Sequence, residues 1–209
     1  MQSSPKIFIG PTDIAGYYSN LAKSINKIGL NCDYFTFSKH PFNYVSESKD
    51  PFLLRLAKWT TSSKNFSNFP FIIKIGVGIF KETLTSIWAI IAIFKYDVFI
   101  FGYGKSLIRF NLDLILLKLL NKKVISNMAH GSEARPMYLD GSFQSLDGTY
   151  YPTINKIISS ARKSRKLIEK HQKLSTYLIG APFSTSFFSS KKFINSFNSG
   201  DFILIFIFF

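Results

Sequence analysis

Cysteine is nearly missing from this chain of 209 residues, with Cys32 standing alone. One thiol forms no internal disulfide and supplies no cysteine-based zinc site, so the sequence points to a reducing compartment and to a fold held by its core. Acidic side chains are scarce as well, 12 against 26 Lys and Arg, which leaves a net charge of +14. That surplus has two readings: an anionic partner such as nucleic acid, a phosphorylated sugar or an acidic lipid surface, or an AT-rich coding sequence that enriches Lys and Asn together with Phe and Ile. No RNA- or DNA-binding motif accompanies the charge, so nucleic acid is not the expected partner. Long unbroken apolar runs are missing too. Ile7-Phe8-Ile9-Gly10 is too short for the central region of a secretion signal. The stretch from Phe71 to Phe101 is interrupted by Lys74, Lys81, Glu82, Lys95 and Asp97, leaving only the 12 residues Thr83 to Phe94 uncharged. A membrane-spanning helix needs about 20 predominantly apolar residues, so a buried or interfacial helix fits this stretch better.

Apolar residues make up 46% of the chain and aromatic residues 17%, enough to build a substantial core in one large domain. Lys6 to Gly10 is a short apolar run ending in glycine. Tyr17, Leu21, Ile25 and Ile28 then recur at three- and four-residue steps up to Gly29, and Cys32 to Phe37 runs apolar again. That pattern predicts strand, loop, helix and second strand, a complete βαβ unit. Residues 38–70 are rich in Ser, Lys, Asn and Pro, with a helix expected only over Pro51 to Trp59. A helix is expected over Phe71 to Phe94, a strand over Tyr96 to Gly104, a helix over Phe110 to Leu120 and a strand over Lys122 to Met128. After a polar loop from Ala129 to Gly148 come a helix from about Thr153 to Lys173 and a strand around Thr176 to Ile179. Strands alternating with helices at this spacing predict an α/β, Rossmann-like three-layer domain with a mostly parallel sheet over residues 1–185. Residues 186–209 read as a linker and an apolar tail, ending Phe202-Ile-Leu-Ile-Phe-Ile-Phe-Phe209, as a truncated or aberrant C-terminus would.

In an open parallel sheet ligands bind beyond the carboxyl ends of the strands, and three loops leave such ends. The first, Gly10-Pro-Thr-Asp-Ile-Ala-Gly16, has glycine at each end and precedes a helix whose N-terminus favours an anion. It is neither a dinucleotide fingerprint nor a P-loop, and a plain strand-to-helix turn is its simpler reading. Asp13 within it is a base or a helix cap, capping being the commoner role. The second, Phe101-Gly-Tyr-Gly-Lys-Ser106, places Gly102, Tyr103 and Lys105 where a sugar ring and a phosphate could be met, with a tight turn and a solvated Lys105 as the alternative. The third follows the strand Val124 to Met128 and reads Ala129-His130-Gly131-Ser132-Glu133-Ala134-Arg135-Pro136. A histidine at a strand end can shuttle a proton or hydrogen-bond a sugar hydroxyl, and Gly131, Glu133 and Arg135 beside it strengthen a functional reading.

The strand, loop, helix and strand at residues 6–37, the Tyr96-Asp-Val-Phe-Ile100 strand, and Asp113 to Ile125 running on to His130-Gly-Ser-Glu-Ala-Arg135 resemble the N-terminal half of a GT-B glycosyltransferase. The resemblance is to the large retaining group that uses nucleotide sugars, often called family 4, and it covers about residues 5–185. His130 to Arg135 is its most specific piece, similar to a His-Gly-Ser-Asp-x-Arg stretch with Glu133 in place of the acid. The resemblance implies the first loop with Gly16 near a donor diphosphate and His130 as the catalytic histidine in an interdomain cleft. Many members carry paired glycines where this chain has Ala15-Gly16. It further implies a nucleotide-sugar donor, a glycan or lipid-linked acceptor, no metal, and a cytoplasmic location at the inner face of the membrane. Between Lys156 and Lys173 seven Lys or Arg face one Glu, a net of +6. In enzymes of this kind such a patch implies docking on an anionic membrane surface, and a solvated helix face is the alternative.

Donor-side domains of this fold present two glutamates eight positions apart. The four glutamates here, Glu47, Glu82, Glu133 and Glu169, include no such pair. The sequence is therefore expected to act as an acceptor-side half, inactive without a separate donor-binding domain. A non-catalytic Rossmann-like module that docks on a membrane or a partner protein is the other reading.

Overall fold

A computed structural model describes residues 4–13, 16–37, 50–61, 70–128, 152–180 and 193–195. Six strands form one sheet, β1 (Lys6–Ile9), β2 (Asn31–Tyr34), β3 (Val98–Gly102), β4 (Lys123–Asn127), β5 (Tyr177–Gly180) and β6 (Phe193–Asn195). Their order is β2-β1-β3-β4-β5-β6, and every neighbouring pair is parallel. Among the described residues five α-helices accompany the strands: α1 (Tyr17–Lys27), α2 (Phe52–Thr61), α3 (Phe71–Lys95), α4 (Asp113–Leu119) and α5 (Ile154–Leu174). The chain is thus an α/β domain of Rossmann-like type. Phe193–Asn195, in the stretch expected as a linker, continues the sheet beside β5.

The alternation of side chains along each strand sorts the core into two. Phe8, Phe99, Phe101 and Val124 point to one face and pack with Leu54 of α2, Trp88, Ala89, Ala92 and Ile93 of α3, and Leu114 and Leu117 of α4. Ile7, Ile9, Val98, Ile100, Ile125 and Ile179 point to the other and pack with Tyr18, Ala22 and Ile25 of α1. Helix α5 lies over Leu178 through Ile168, on the same face as α3 and α4, since Leu178 pairs with Ser126 and Ser126 with Phe101. That division follows from topology. Stepping outward from β1 to β2 puts α1 on one face, while crossing back to β3 and continuing to β5 puts α2 to α5 on the other, as right-handed crossovers require.

Local signals explain where the elements stop. Helix α1 ends at Gly29, whose φ of 88° is left-handed, and the Leu30 amide bonds back to the Ile25 carbonyl, as in a glycine-terminated helix. The expected helix from Phe110 begins later, at Asp113, because Phe110 and Asn111 take left-handed φ of 61° and 55° in a short 3-10 turn, Arg109–Asn111.

Candidate functional site

The strand order reverses direction between β1 and β3, so their carboxyl ends diverge and leave a crevice. Gly10, at the end of β1, donates its amide to the Ile100 carbonyl at 3.2 Å, and Gly102 closes β3 at the same edge. The first two strand-end loops are therefore neighbours, as expected. The chain also leaves β4 at this edge, through Asn127 and Met128. His130, Gly131, Glu133 and Arg135 lie outside the described residues.

A cleft of about 450 Å³ opens in this crevice, between Pro11 and Thr12 after β1, the Lys105–Asn111 segment after β3, Phe37 after β2, and Glu82 and Thr85 on α3. Its chemistry is mixed: two cations, Lys105 and Arg109, one carboxylate, Glu82, and the aromatic rings of Phe37 and Phe110. Arg109 holds its guanidinium 5.0 Å from the centre of the Phe110 ring, and Lys105 its ammonium 5.8 Å from that of Tyr103. Such a set suits a polar ring compound bearing negative charge, since flat apolar surface takes a sugar face and the cations take an anion.

The first loop is tied inward. Asp13 accepts the Tyr18 amide at 3.2 Å and the Tyr34 hydroxyl, so it caps the start of α1. Burial, and then the Asp13 carboxylate, push the Tyr34 phenol above its ordinary value, which keeps it a neutral donor. Gly16 is the left-handed residue before α1, with a φ of 78°, and its carbonyl accepts the Ser19 hydroxyl at 2.8 Å. Gly102 has a packing reason as well, because a Cβ there would overlap the buried Tyr18 hydroxyl. Tyr103 stands half-buried beside it with a φ of 60°, its amide bonded to the Asn127 carbonyl at 3.2 Å.

Beneath the cleft, a buried polar network fixes the Gly104–Asn111 segment. Asp113 accepts the Ser106 hydroxyl and the backbone amides of Leu107 and Ile108 at 2.9 and 3.2 Å. Asn111 donates to the Gly104 carbonyl at 2.8 Å, and His171 Nε2 sits 3.1 Å from the Asn111 amide nitrogen and 3.3 Å from the Gly104 carbonyl while its Nδ1 sits 2.7 Å from the Ser126 hydroxyl. Ser126 in turn bonds Ser175 at 2.8 Å. Desolvation pulls His171 down to about 4, so it is neutral at physiological pH and serves as a fixed strut.

The residues that sequence reading missed are Glu82, Arg109 and Phe37, which meet only through the fold, and His171, hidden within a run of cations. Compared with known protein families, with curated proteins and with solved structures, the chain matches none.

Proposed function

We propose that this chain is the acceptor-side, Rossmann-like domain of a GT-B glycosyltransferase, which transfers sugar from a nucleotide sugar to a glycan or lipid-linked acceptor. The observation that carries the reading is the cleft at the β1/β3 switch point, where Lys105 and Arg109 flank Phe37 and Glu82. In this role Glu82 accepts sugar hydroxyls, the aromatic rings stack on a pyranose face, and the two cations neutralise a phosphate on the acceptor. His130 and Arg135, which follow β4 in the sequence, are carried from the resemblance alone, with His130 as proton acceptor or hydrogen-bond donor. In this reading the donor nucleotide sugar is held by a donor-binding domain on the other side of the cleft. Positioning of two substrates across such a cleft is worth about 7–11 kcal/mol of barrier, too much for one side to supply.

The test is a titration of the full chain with a phosphorylated glycan, a polyprenyl phosphate analogue and a panel of nucleotide sugars, read by thermal shift and by transfer of label. We expect the acceptor classes to raise Tm, and Lys105→Ala and Arg109→Ala to abolish the shift. Supplied with a complementary donor domain, the chain should turn over, and His130→Ala should slow it about 10²-fold or more. No shift with any sugar or phosphate would reject the reading. It would favour instead a non-catalytic docking module, a view supported by the internal hydrogen bonds that already engage Asp13.

A further inference from the structure

Helix α3 changes character along its length. Its C-terminal part is an ordinary core helix that buries Trp88, Ala89, Ala92 and Ile93 against the sheet. No residue from Phe71 to Thr83 is buried, although Lys74, Lys81 and Glu82 are the only charged residues in a part otherwise rich in Ile and Phe. Phe71, Ile72 and Ile79 are 76%, 82% and 63% exposed, and Ile73, Ile75 and Phe80 are exposed as well. At about 100° per residue these six side chains spread over roughly 200° of the helix circumference. A protein partner would cover one complementary stripe with a polar rim around it. Apolar exposure over more than half the circumference is what a fluid hydrocarbon solvent satisfies.

The apolar surface continues across the same helical layer. Ile87, Ile90, Ile91 and Phe94 on the outer side of α3 are exposed, and so are Ile115 and Leu119 of α4, the latter to 78%. Next to α4 lies α5, whose Lys156 to Lys173 stretch carries a net +6 and whose exposed Arg165–Glu169 pair neutralises little of it. An apolar ridge beside a cationic helix on one face is the arrangement that anionic bilayers bind, with side chains dipping below the headgroups and cations meeting them. Helix α3 is long and apolar enough to cross a membrane, but its C-terminal part packs into the sheet core, which places the exposed N-terminal part to lie in a bilayer surface.

We propose that the α3–α4–α5 face is a docking surface for an anionic lipid bilayer, with the Phe71–Phe80 part of α3 inserted at the headgroup–acyl boundary and α5 held over the phosphates. The charge on α5 is also what the resemblance to glycosyltransferases implies for membrane docking, whereas the exposed α3 face is seen only in the structure and concerns neither sugar nor the β1/β3 cleft. The test uses the full chain and vesicles of phosphatidylcholine alone or mixed with phosphatidylglycerol, read by co-sedimentation. The expected result is binding to the mixed vesicles, weakened about tenfold or more by the triple change Ile72→Ser, Ile79→Ser, Phe80→Ser and, independently, by Arg162→Glu, Lys163→Glu, Lys166→Glu. All six positions are exposed, so circular dichroism and Tm should stay close to those of the unmodified chain. In a further variant, Phe80→Trp, the new indole should be quenched by brominated acyl chains. No binding to anionic vesicles, full binding by the serine variant, or a lipid-free dimer that protects α3 from exchange would each overturn the proposal.

Discussion

The two faces of the sheet are built from different chemistry, and adjacent residues of one strand show it most directly. Phe99 lies fully buried in an aromatic cluster, with ring centres 5.8 Å from Phe8, 5.9 Å from Phe101 and 6.3 Å from Tyr96. Ile100, one residue on, faces an aliphatic layer under the single helix α1. Large rings on one face are accommodated because α3 presents Ala89 and Ala92 to them, while Trp88 fills the space towards Phe8 and Phe35. On the other face β-branched Ile and Val side chains pack closely beneath Ala22 and Ile25. The aromatic side should therefore be the less able to collapse into a void, since its rigid rings leave a deleted neighbour unreplaced, while the aliphatic side should repack.

The sharpest break in that comparison is Phe99→Ala. Removal of a fully buried ring from the centre of the aromatic cluster should cost about 3–5 kcal/mol, read as a fall in the urea midpoint at unchanged slope. A loss below about 1.5 kcal/mol would mean that the aromatic face closes as readily as the other. The next largest effect concerns the polar strut at the edge of the aromatic face. His171 is held at about 4 against an ordinary 6.5, so acid protonates the unfolded chain first. The stability that depends on neutral His171 should be whole above about pH 6.5 and should be lost as the pH drops from there to about 4, while the buried Asp113 carboxyl, raised by desolvation, acts in the opposite direction as acid protonates it in the folded chain first. By linkage the loss amounts to about 3 kcal/mol. In His171→Gln the slope between pH 6.5 and 5 should flatten, whereas an unaltered slope would place the titration elsewhere.

Much of this architecture is written locally. The period of Tyr17, Leu21 and Ile25, the glycine at 29 and the Tyr96–Ile100 run lie within short windows, and the elements they specify form with boundaries shifted by a residue or two. The candidate site is not written that way. Glu82, Arg109 and Phe37 come from three elements and converge only because the strand order reverses between β1 and β3. The left-handed turn at Phe110 and Asn111 carries no glycine to announce it, and is held by Asn111 bonding Gly104 and His171 across the fold. His171 had one local signal: with Ile168 and Ser175 it continues a three- and four-residue spacing of inward positions through the cationic stretch.

A smaller effect is expected where the aliphatic face meets the crevice. Gly102 lies under the Tyr18 ring, and a methyl group at that position would displace the ring from its seat against β3. Gly102→Ala should cost about 1–3 kcal/mol by overpacking, and it should raise the exchange rate of the α1 amides more than that of α3, because only α1 carries Tyr18. Uniform loss of protection across both helices would show that the two faces do not respond separately.

The mildest change is also the cleanest counterpart to Phe99→Ala. Ile100→Val removes one methyl group from a buried side chain, keeps the β-branched shape that the strand favours, and leaves the register between β1, β3 and β4 unchanged. Such a deletion costs about 0.5–1.5 kcal/mol in general. The lower part of that range is expected here, since the surrounding Ile9, Ile125 and Val98 are aliphatic neighbours that need only small shifts to close around one missing methyl group. Phe99→Leu, made alongside, separates size from shape: it keeps an aliphatic volume but removes the ring from its neighbours Phe8, Phe101 and Tyr96. Its cost should exceed that of Ile100→Val by at least about 1 kcal/mol, in keeping with the extra worth of aromatic pairs beyond burial. Equal costs in denaturant titrations would mean that the two faces differ in composition alone, and that the rings on the α3 side are space-fillers with no packing specificity of their own.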